Sequence, residues 1–252
     1  MSAGPRAIDP QASVWMKRRP GERRRQGAGE SAGLDRGRIV RAAIGLLDAD
    51  GLGKFSMRRL AAELGVTPMS VYWYVDNKDD LLEVALDEVQ AEIPLPDPES
   101  GDWQAGVREL ASGYRSMLRT HPWAVRLLGE YLNIGPRAVA LSTAAYRVMG
   151  HSGLPAEQVA GALSTVFQFA YGSGTSEARW AERCRAAGVG EEDYYNEVLA
   201  LLRDREDFAR LAEVSDVGSR VTVAEARDRE FAFALDCLVA GIEAMRDRSS
   251  AD

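Results

Sequence analysis

The stretch SMRRLAAELGVTPMSVYWYVDNK, residues 56–78, reads as two short helices joined by a tight turn, with a third helix beginning at its end. Met57, Leu60, Ala61 and Leu64 recur at i, i+3, i+4 and i+7, the spacing of one apolar helical face. Gly65 follows at once, where a left-handed C-terminal cap is wanted. Thr67 and Pro68 then supply an N-cap and a first-turn proline for the second helix. That helix is very short, yet it carries Ser70, Tyr72, Trp73 and Tyr74 in its last residues. A folded domain rarely places so much aromatic and hydroxyl surface on one short helix unless the helix touches something. Helix, glycine turn and polar-aromatic helix together make the helix-turn-helix layout, whose second helix enters the DNA major groove. Three consecutive helical residues cannot all face one way, and Trp73 is the aromatic expected to pack inward.

The net charge of −7 becomes compatible with DNA once it is divided along the chain. Residues 1–78 hold 14 Lys+Arg against 8 Asp+Glu, a balance of +6, whereas residues 79–252 hold 17 against 30, a balance of −13. One end attracts phosphate and the other repels it, which orients the molecule on a polyanion. Two cysteines, Cys184 and Cys237, call for neither a disulfide framework nor a metal site, and suit a cytoplasmic protein. Residues 1–33 are basic, poor in large apolar side chains and without the apolar run of a secretory signal, so they read as a disordered extension. Its Lys17, Arg18, Arg19, Arg23, Arg24 and Arg25 are candidates for phosphate or minor-groove contacts.

The rest is helical throughout, and the fold class is all-α. A first helix spans residues 34–50, with Ile39, Ala43, Leu46 and Leu47 on one face and Gly51 at its end. Asn77 caps a fourth helix that carries Asp79 and Asp80 in its first turn and runs to about Ile93. A proline-rich linker occupies about 94–102. The resulting division is a basic extension 1–33, a helix-turn-helix domain 34–80, and a helical domain 81–252. Residues 158–176 contain no charge in nineteen positions, but their glutamines, serines, threonines and glycines argue for a buried helix at a subunit interface and against a membrane span. Pairing of that helix (about 155–180) with the last one (about 229–246) in each of two chains makes a four-helix homodimer interface. Residues 186–223, acidic, read as short helices or an excursion.

The words AAIGLLDADGLGKFSMRRLAAELGV and VYWYVDNKDDLL closely resemble the TetR family of transcriptional repressors, and the Tyr72-Trp73 and Asn77-Lys78 pairs resemble its tetracycline repressor branch. HPWAVRLL at 121–128 and the helix at 155–180 extend the resemblance into that branch's C-terminal domain. It implies a homodimer that binds a palindromic double-stranded DNA operator and is released by a small-molecule effector, without cofactor, metal or membrane. Carried over by position, Ser56, Arg58, Thr67, Pro68, Met69, Ser70, Tyr72, Trp73, Tyr74 and Lys78 fall at operator-contacting places. Arg58 has the fork for a guanine, and Ser56, Thr67, Tyr72 and Lys78 have donors for phosphate. Where the tetracycline repressor holds drug-bound magnesium with a histidine, this chain has Leu127, and His121 comes six residues earlier, so a tetracycline–magnesium effector is not expected.

Effector-binding candidates are Trp123, Arg126, Tyr131, Asn133, Phe167, Gln168 and Tyr171, the aromatic and polar residues of the C-terminal helices. Their default role is core packing for the aromatics, and His121 before a proline reads more as a cap than a ligand. Two other functions compete with a ligand-responsive repressor. An architectural DNA protein shares the helix-turn-helix but lacks an internal pocket. An enzyme requires a phosphate loop, metal cluster or nucleophile–base spacing, and the sequence offers none of these.

Overall fold

The computed structural model describes residues 11, 13–17, 34–97, 99–202, 205 and 221–249. Among them every regular element is helical. The helices are α1 (Arg36–Asp50), α2 (Met57–Glu63), α3 (Pro68–Tyr72), α4 (Lys78–Val89), α5 (Trp103–Thr120), α6 (Ala124–Glu130), α7 (Pro136–Gly150), α8 (Ala156–Ala187), α9 (Glu191–Leu202) and α10 (Val223–Ser249). The helix expected over 34–50 begins two residues later because Asp35 is its N-cap, accepting from the Arg38 N–H. The helix expected to reach Ile93 ends at Val89 and tightens into a 3₁₀ turn, Gln90–Glu92.

The head is α1 to α3 closed on the start of α4. Ile39, Ala43, Leu47, Leu60, Val71 and Leu81 are all sealed from solvent between these helices. The five residues of α3 are far too few for a helix to stand alone in water, where about 12–15 are needed. Packing of Val71 and Val75 onto the core holds it instead.

The body is built on α5 lying along α8, with Tyr114 edge-on to Phe167 at 5.3 Å between centroids. Arg115 is buried in this seam, donating to Glu177 of α8 at 2.8 and 3.0 Å, pairing with Asp228 of α10 at 2.8 Å, and lying 4.5 Å from the centre of the Phe231 ring. One side chain therefore ties three helices, a role its position beside Tyr114 did not announce.

Both expected interface helices run longer than read, and in the single chain each buries one stripe only. α8 turns Val159, Leu163, Val166, Ala170, Gly174 and Ala178 inward, and α10 turns Phe231, Leu235, Val239 and Ile242 inward. The uncharged outer face of α8 (Gly161, Thr165, Gln168, Gly172) and the outer face of α10 with Phe233 and Cys237 stay exposed. The single chain therefore covers neither helix completely. Among the described residues no helix is long and apolar enough to cross a membrane.

A correction concerns the extension, part of which is ordered. Residues 13–17 form a turn docked on α4: the Ser13 hydroxyl and the Val14 N–H donate to Glu83 at 2.7 and 3.0 Å, and Lys17 pairs with Asp80. The ammonium of Lys17 is thus held by α4. The arginines from 18 to 25 lie outside the described residues, as does most of the excursion after α9.

Candidate nucleic-acid interface and effector cleft

The turn between α2 and α3 is a Schellman closure built from the sequence around Gly65. The Val66 N–H donates to the Ala61 carbonyl at 2.9 Å and the Gly65 N–H to Ala62 at 3.1 Å, with Gly65 at φ +69°. A side chain there would be strained in the left-handed region, so glycine is required by the backbone. Thr67 caps α3 by accepting from the Ser70 N–H, and Ser56 caps α2 by accepting from the Arg59 N–H. In accepting, the Ser56 hydroxyl keeps its own proton for an outside acceptor such as a phosphate.

Above that scaffold α3 turns its large side chains outward. Met69 is 67% exposed and Trp73 61%, with Pro68 and Tyr72 also exposed beside them and Ser70 half-buried. The expectation that Trp73 packs inward is wrong. Val71 and Val75 already fill the inward positions at i and i+4, which swings Trp73 to the solvent side.

The two neighbouring arginines of α2 divide in function. Arg59 is paired with Asp50 of α1. The exposed guanidinium of Arg58 has no ion-pair partner among the described residues, so its fork is free for a base edge. Lys78, half-buried, sends one N–H to the Phe55 carbonyl at 3.0 Å and sits 5.4 Å from the Phe55 ring centre, with two donors left over. The hydroxyl of Tyr74 donates to the Leu34 carbonyl at 2.9 Å, which joins α3 to the start of α1 and takes its proton away from any phosphate.

Head and body meet at His121, which is buried between carboxylates of both. Its Nδ1 lies 2.7 Å from Asp48 of α1 and its Nε2 3.0 Å from Glu92 after α4. Trp123 donates its indole N–H to the same Asp48 oxygen at 2.7 Å. Burial pushes the imidazole's pKa down, but hydrogen bonds and charge from Asp48 and Glu92 outweigh it, and the net shift is upward. His121 is therefore a junction residue, more than the cap its place before proline suggested. Leu127 is fully buried among apolar neighbours, so no imidazole stands where the tetracycline repressor has one.

The seven effector candidates are engaged with different neighbours. Trp123 is on Asp48, Tyr131 donates to Asp79 at 3.1 Å, and Asn133 exchanges hydrogen bonds with Gln90. Arg126 is exposed and paired with Glu130 on its own helix, and Gln168 faces solvent. Phe167 and Tyr171 belong to the α5–α8 seam, where burial, helped by Tyr171, pushes Tyr114 up to about 12. Tyr171 also lines a cleft of about 540 Å³ with Thr175, Trp180, Arg183 and Arg227. The Thr175 hydroxyl is buried there without a hydrogen-bond partner among the described residues. Sequence reading passed over Thr175 and Trp180, because an orphaned hydroxyl is visible only once its surroundings are known.

Comparison with known proteins agrees with this all-helical architecture. Residues 39–85 match the family "Bacterial regulatory proteins, tetR family", and residues 95–246 match "Tetracyclin repressor-like, C-terminal domain". An HTH-type transcriptional regulator of Saccharopolyspora erythraea is 35% identical over 61% of this chain, a stretch that reaches 65% of that relative's length. The HTH-type transcriptional repressor DrrR1 of Streptomyces coeruleorubidus is 31% identical over 71% of this chain and 67% of its own. Among solved structures, ActR of Streptomyces coelicolor in complex with actinorhodin superposes with a TM-score of 0.66 at 28% identity, over 84% of this chain and 98% of that one. The chain belongs to the tetR family of bacterial regulatory proteins and carries a tetracyclin repressor-like C-terminal domain, which makes it a transcriptional regulator and not an enzyme.

Proposed function

We propose that this protein is a ligand-responsive repressor that binds a palindromic operator as a homodimer and leaves it when a small molecule occupies the body. The observation that carries the reading is the outward face of α3, with Met69, Tyr72 and Trp73 exposed beside the unpaired Arg58 above a sealed core. Exposed apolar and aromatic side chains on so short a helix are disfavoured in water unless a partner covers them. In this reading Arg58 reads guanine, Pro68, Met69 and Trp73 lie against thymine methyls and sugars, and Ser56, Thr67, Ser70, Tyr72 and Lys78 fix the register on phosphates. Tyr74 braces the reading head through its hydroxyl on the Leu34 carbonyl.

Dimerisation uses the outer faces of α8 and α10, where Phe233 is 72% exposed in a single chain. Pairing these faces sets the two α3 helices at the fixed spacing that half-sites one DNA turn apart require, ~34–36 Å. The cleft holding Thr175 is the effector site best supported within one chain, because a ligand acceptor or donor there satisfies an otherwise orphaned hydroxyl. The complex of ActR with actinorhodin supports a small-molecule effector of this general kind.

The test is selection of binding sites from random duplex DNA with the full chain at moderate salt, together with its mass in solution. Enrichment of an inverted repeat, bound by a dimer, is expected. A monomer, or a pool with no enriched repeat, overturns the reading.

A further inference from the structure

A second cleft, of about 460 Å³, opens where α1, α4 and the start of α7 meet. Its volume falls in the range of small-molecule sites, about 300–1,000 Å³. Three guanidinium groups line it, those of Arg36 and Arg41 from α1 and Arg137 from α7. None of the three has an ion-pair partner among the described residues. Two carboxylates face them, but they do not balance them. Asp87 accepts the Arg137 and Ala138 backbone N–H groups at 3.0 Å each, so its oxygens are engaged by the start of α7. Glu88 is exposed to water. Three guanidinium groups against two carboxylates leave the lining with one formal positive charge in excess.

The apolar part of the lining comes from Val40, Val84, Pro136 and the half-buried indole of Trp15. Trp15 is held there by the docked turn, through the Ser13 and Val14 bonds to Glu83 and the Lys17–Asp80 pair on either side of it. The turn is thus more than a loose end: it brings an aromatic ring to a cleft whose three arginines have no ion-pair partner among the described residues. We propose that this cleft is a binding site for a flat, largely apolar molecule bearing a carboxylate, separate from the cleft on α8. Its indole meets the apolar body and its guanidinium forks meet the carboxylate. Because its walls belong to the head (α1) and the body (α7) at once, an occupant favours one placement of the head over others. Operator affinity then changes with occupancy, by the differential affinity of the ligand for the two placements. This last step rests on the repressor reading, whereas binding itself does not.

The experiment is calorimetric titration of the full chain with 2-naphthoate, 2-naphthamide and inorganic phosphate. One saturable site per chain is expected for 2-naphthoate, with the neutral amide and phosphate each about tenfold weaker or worse. R41A and R137A each weaken 2-naphthoate about tenfold, since each removes a charge-assisted contact at the surface without opening the core. Quenching of indole fluorescence by the probe is lost in W15F and kept in W180A, which separates this cleft from the one on α8. Absence of saturable 2-naphthoate binding overturns the proposal, as does binding unchanged in R41A and R137A or equal for the amide. If R41A weakens DNA binding while no probe binds, the arginines serve phosphate and the site is refuted. If the probe binds as described but operator affinity stays constant, the site stands and the coupling falls.

Discussion

α3 and α4 lie only five residues apart in the chain, and they invert each other's use of side chains. α3 turns Met69, Tyr72 and Trp73 to water and keeps just Val71 inside. α4 buries Asp80, Glu83 and Asp87, followed by Gln90, along one stripe at i, i+3, i+7 and i+10. Each buried polar group of that stripe has a specific partner. Asp80 holds Lys17, Glu83 holds Ser13 and Val14, Asp87 caps α7, and Gln90 holds Asn133. The contrast is that α3 leaves apolar surface uncovered, as the face proposed to meet DNA, while the buried polar surface of α4 marks where the molecule's own parts are registered. Buried carboxylates contribute little net stability but are costly to leave half-paired, so they specify how extension, head and body sit around α4.

The harshest way to break that contrast is Asp87→Ala. It strips the acceptor from two backbone N–H groups at the start of α7, one of them buried, and opens space beside Gly135, whose missing Cβ now makes room for the carboxylate. Unsatisfied buried groups cost about 1–3 kcal/mol each, so a loss of about 3 kcal/mol in urea unfolding is expected. A loss under about 1 kcal/mol means that water replaces the carboxylate and the stripe does not register the parts.

The matching cut on α3's side is Arg58→Ala. This exposed guanidinium has no hydrogen-bond or ion-pair partner among the described residues, so unfolding should move by less than about 0.5 kcal/mol. Affinity for the selected operator should fall about 30-fold, the equivalent of about 2 kcal/mol for one bidentate base contact, and discrimination at that base should relax. Equal weakening on every DNA sequence would make Arg58 a phosphate contact instead.

His121 belongs to neither pattern and tests the junction between them. Its pKa is raised in the folded protein, so the stabilisation from its charged form is fully present below its unfolded value near 6.5 and is lost as pH rises through the higher folded value. H121Q is neutral at every pH and should be less stable than the parent by about 1–2 kcal/mol at pH 5.5, with the gap narrowing toward pH 9. The partly exposed Asp48 and Glu92 keep that figure modest. A gap that widens with pH would mean the imidazole is held neutral.

Legibility in the sequence followed the same division. The caps at Ser56, Thr67, Asn77 and Asp102, and the turn at Gly65, are local chemistry, and each forms as its residues dictate. The family words of the head cover the proposed operator face because a helix-turn-helix presents its candidate contacts on a short contiguous stretch. The stripe on α4 was hidden, since acidic residues at helical spacing read as a solvated face until their partners, 43 to 70 residues away, are placed. Trp73 was misplaced for a related reason: an aromatic ring carries no mark of whether core or ligand will cover it. The two clefts draw on residues far apart in the chain, one on α1, α4 and α7, the other on α8 and α10, and no window of sequence holds that information.

The smallest expected effect sharpens the comparison at Tyr74, the position where the two patterns touch. Its ring is exposed like the rest of the α3 face, at 37%, yet its hydroxyl reaches back to the Leu34 carbonyl across 40 residues. A hydrogen bond of this neutral, part-buried kind contributes about 1 kcal/mol. Tyr74→Phe keeps the ring and deletes the donor, so unfolding should weaken by about that amount. Operator affinity should change by less than about threefold, because the hydroxyl proton is not available to a phosphate. A drop of tenfold or more in affinity with stability unchanged would show that the hydroxyl leaves Leu34 for DNA, and that α3's outward face begins one residue further along than the free protein displays.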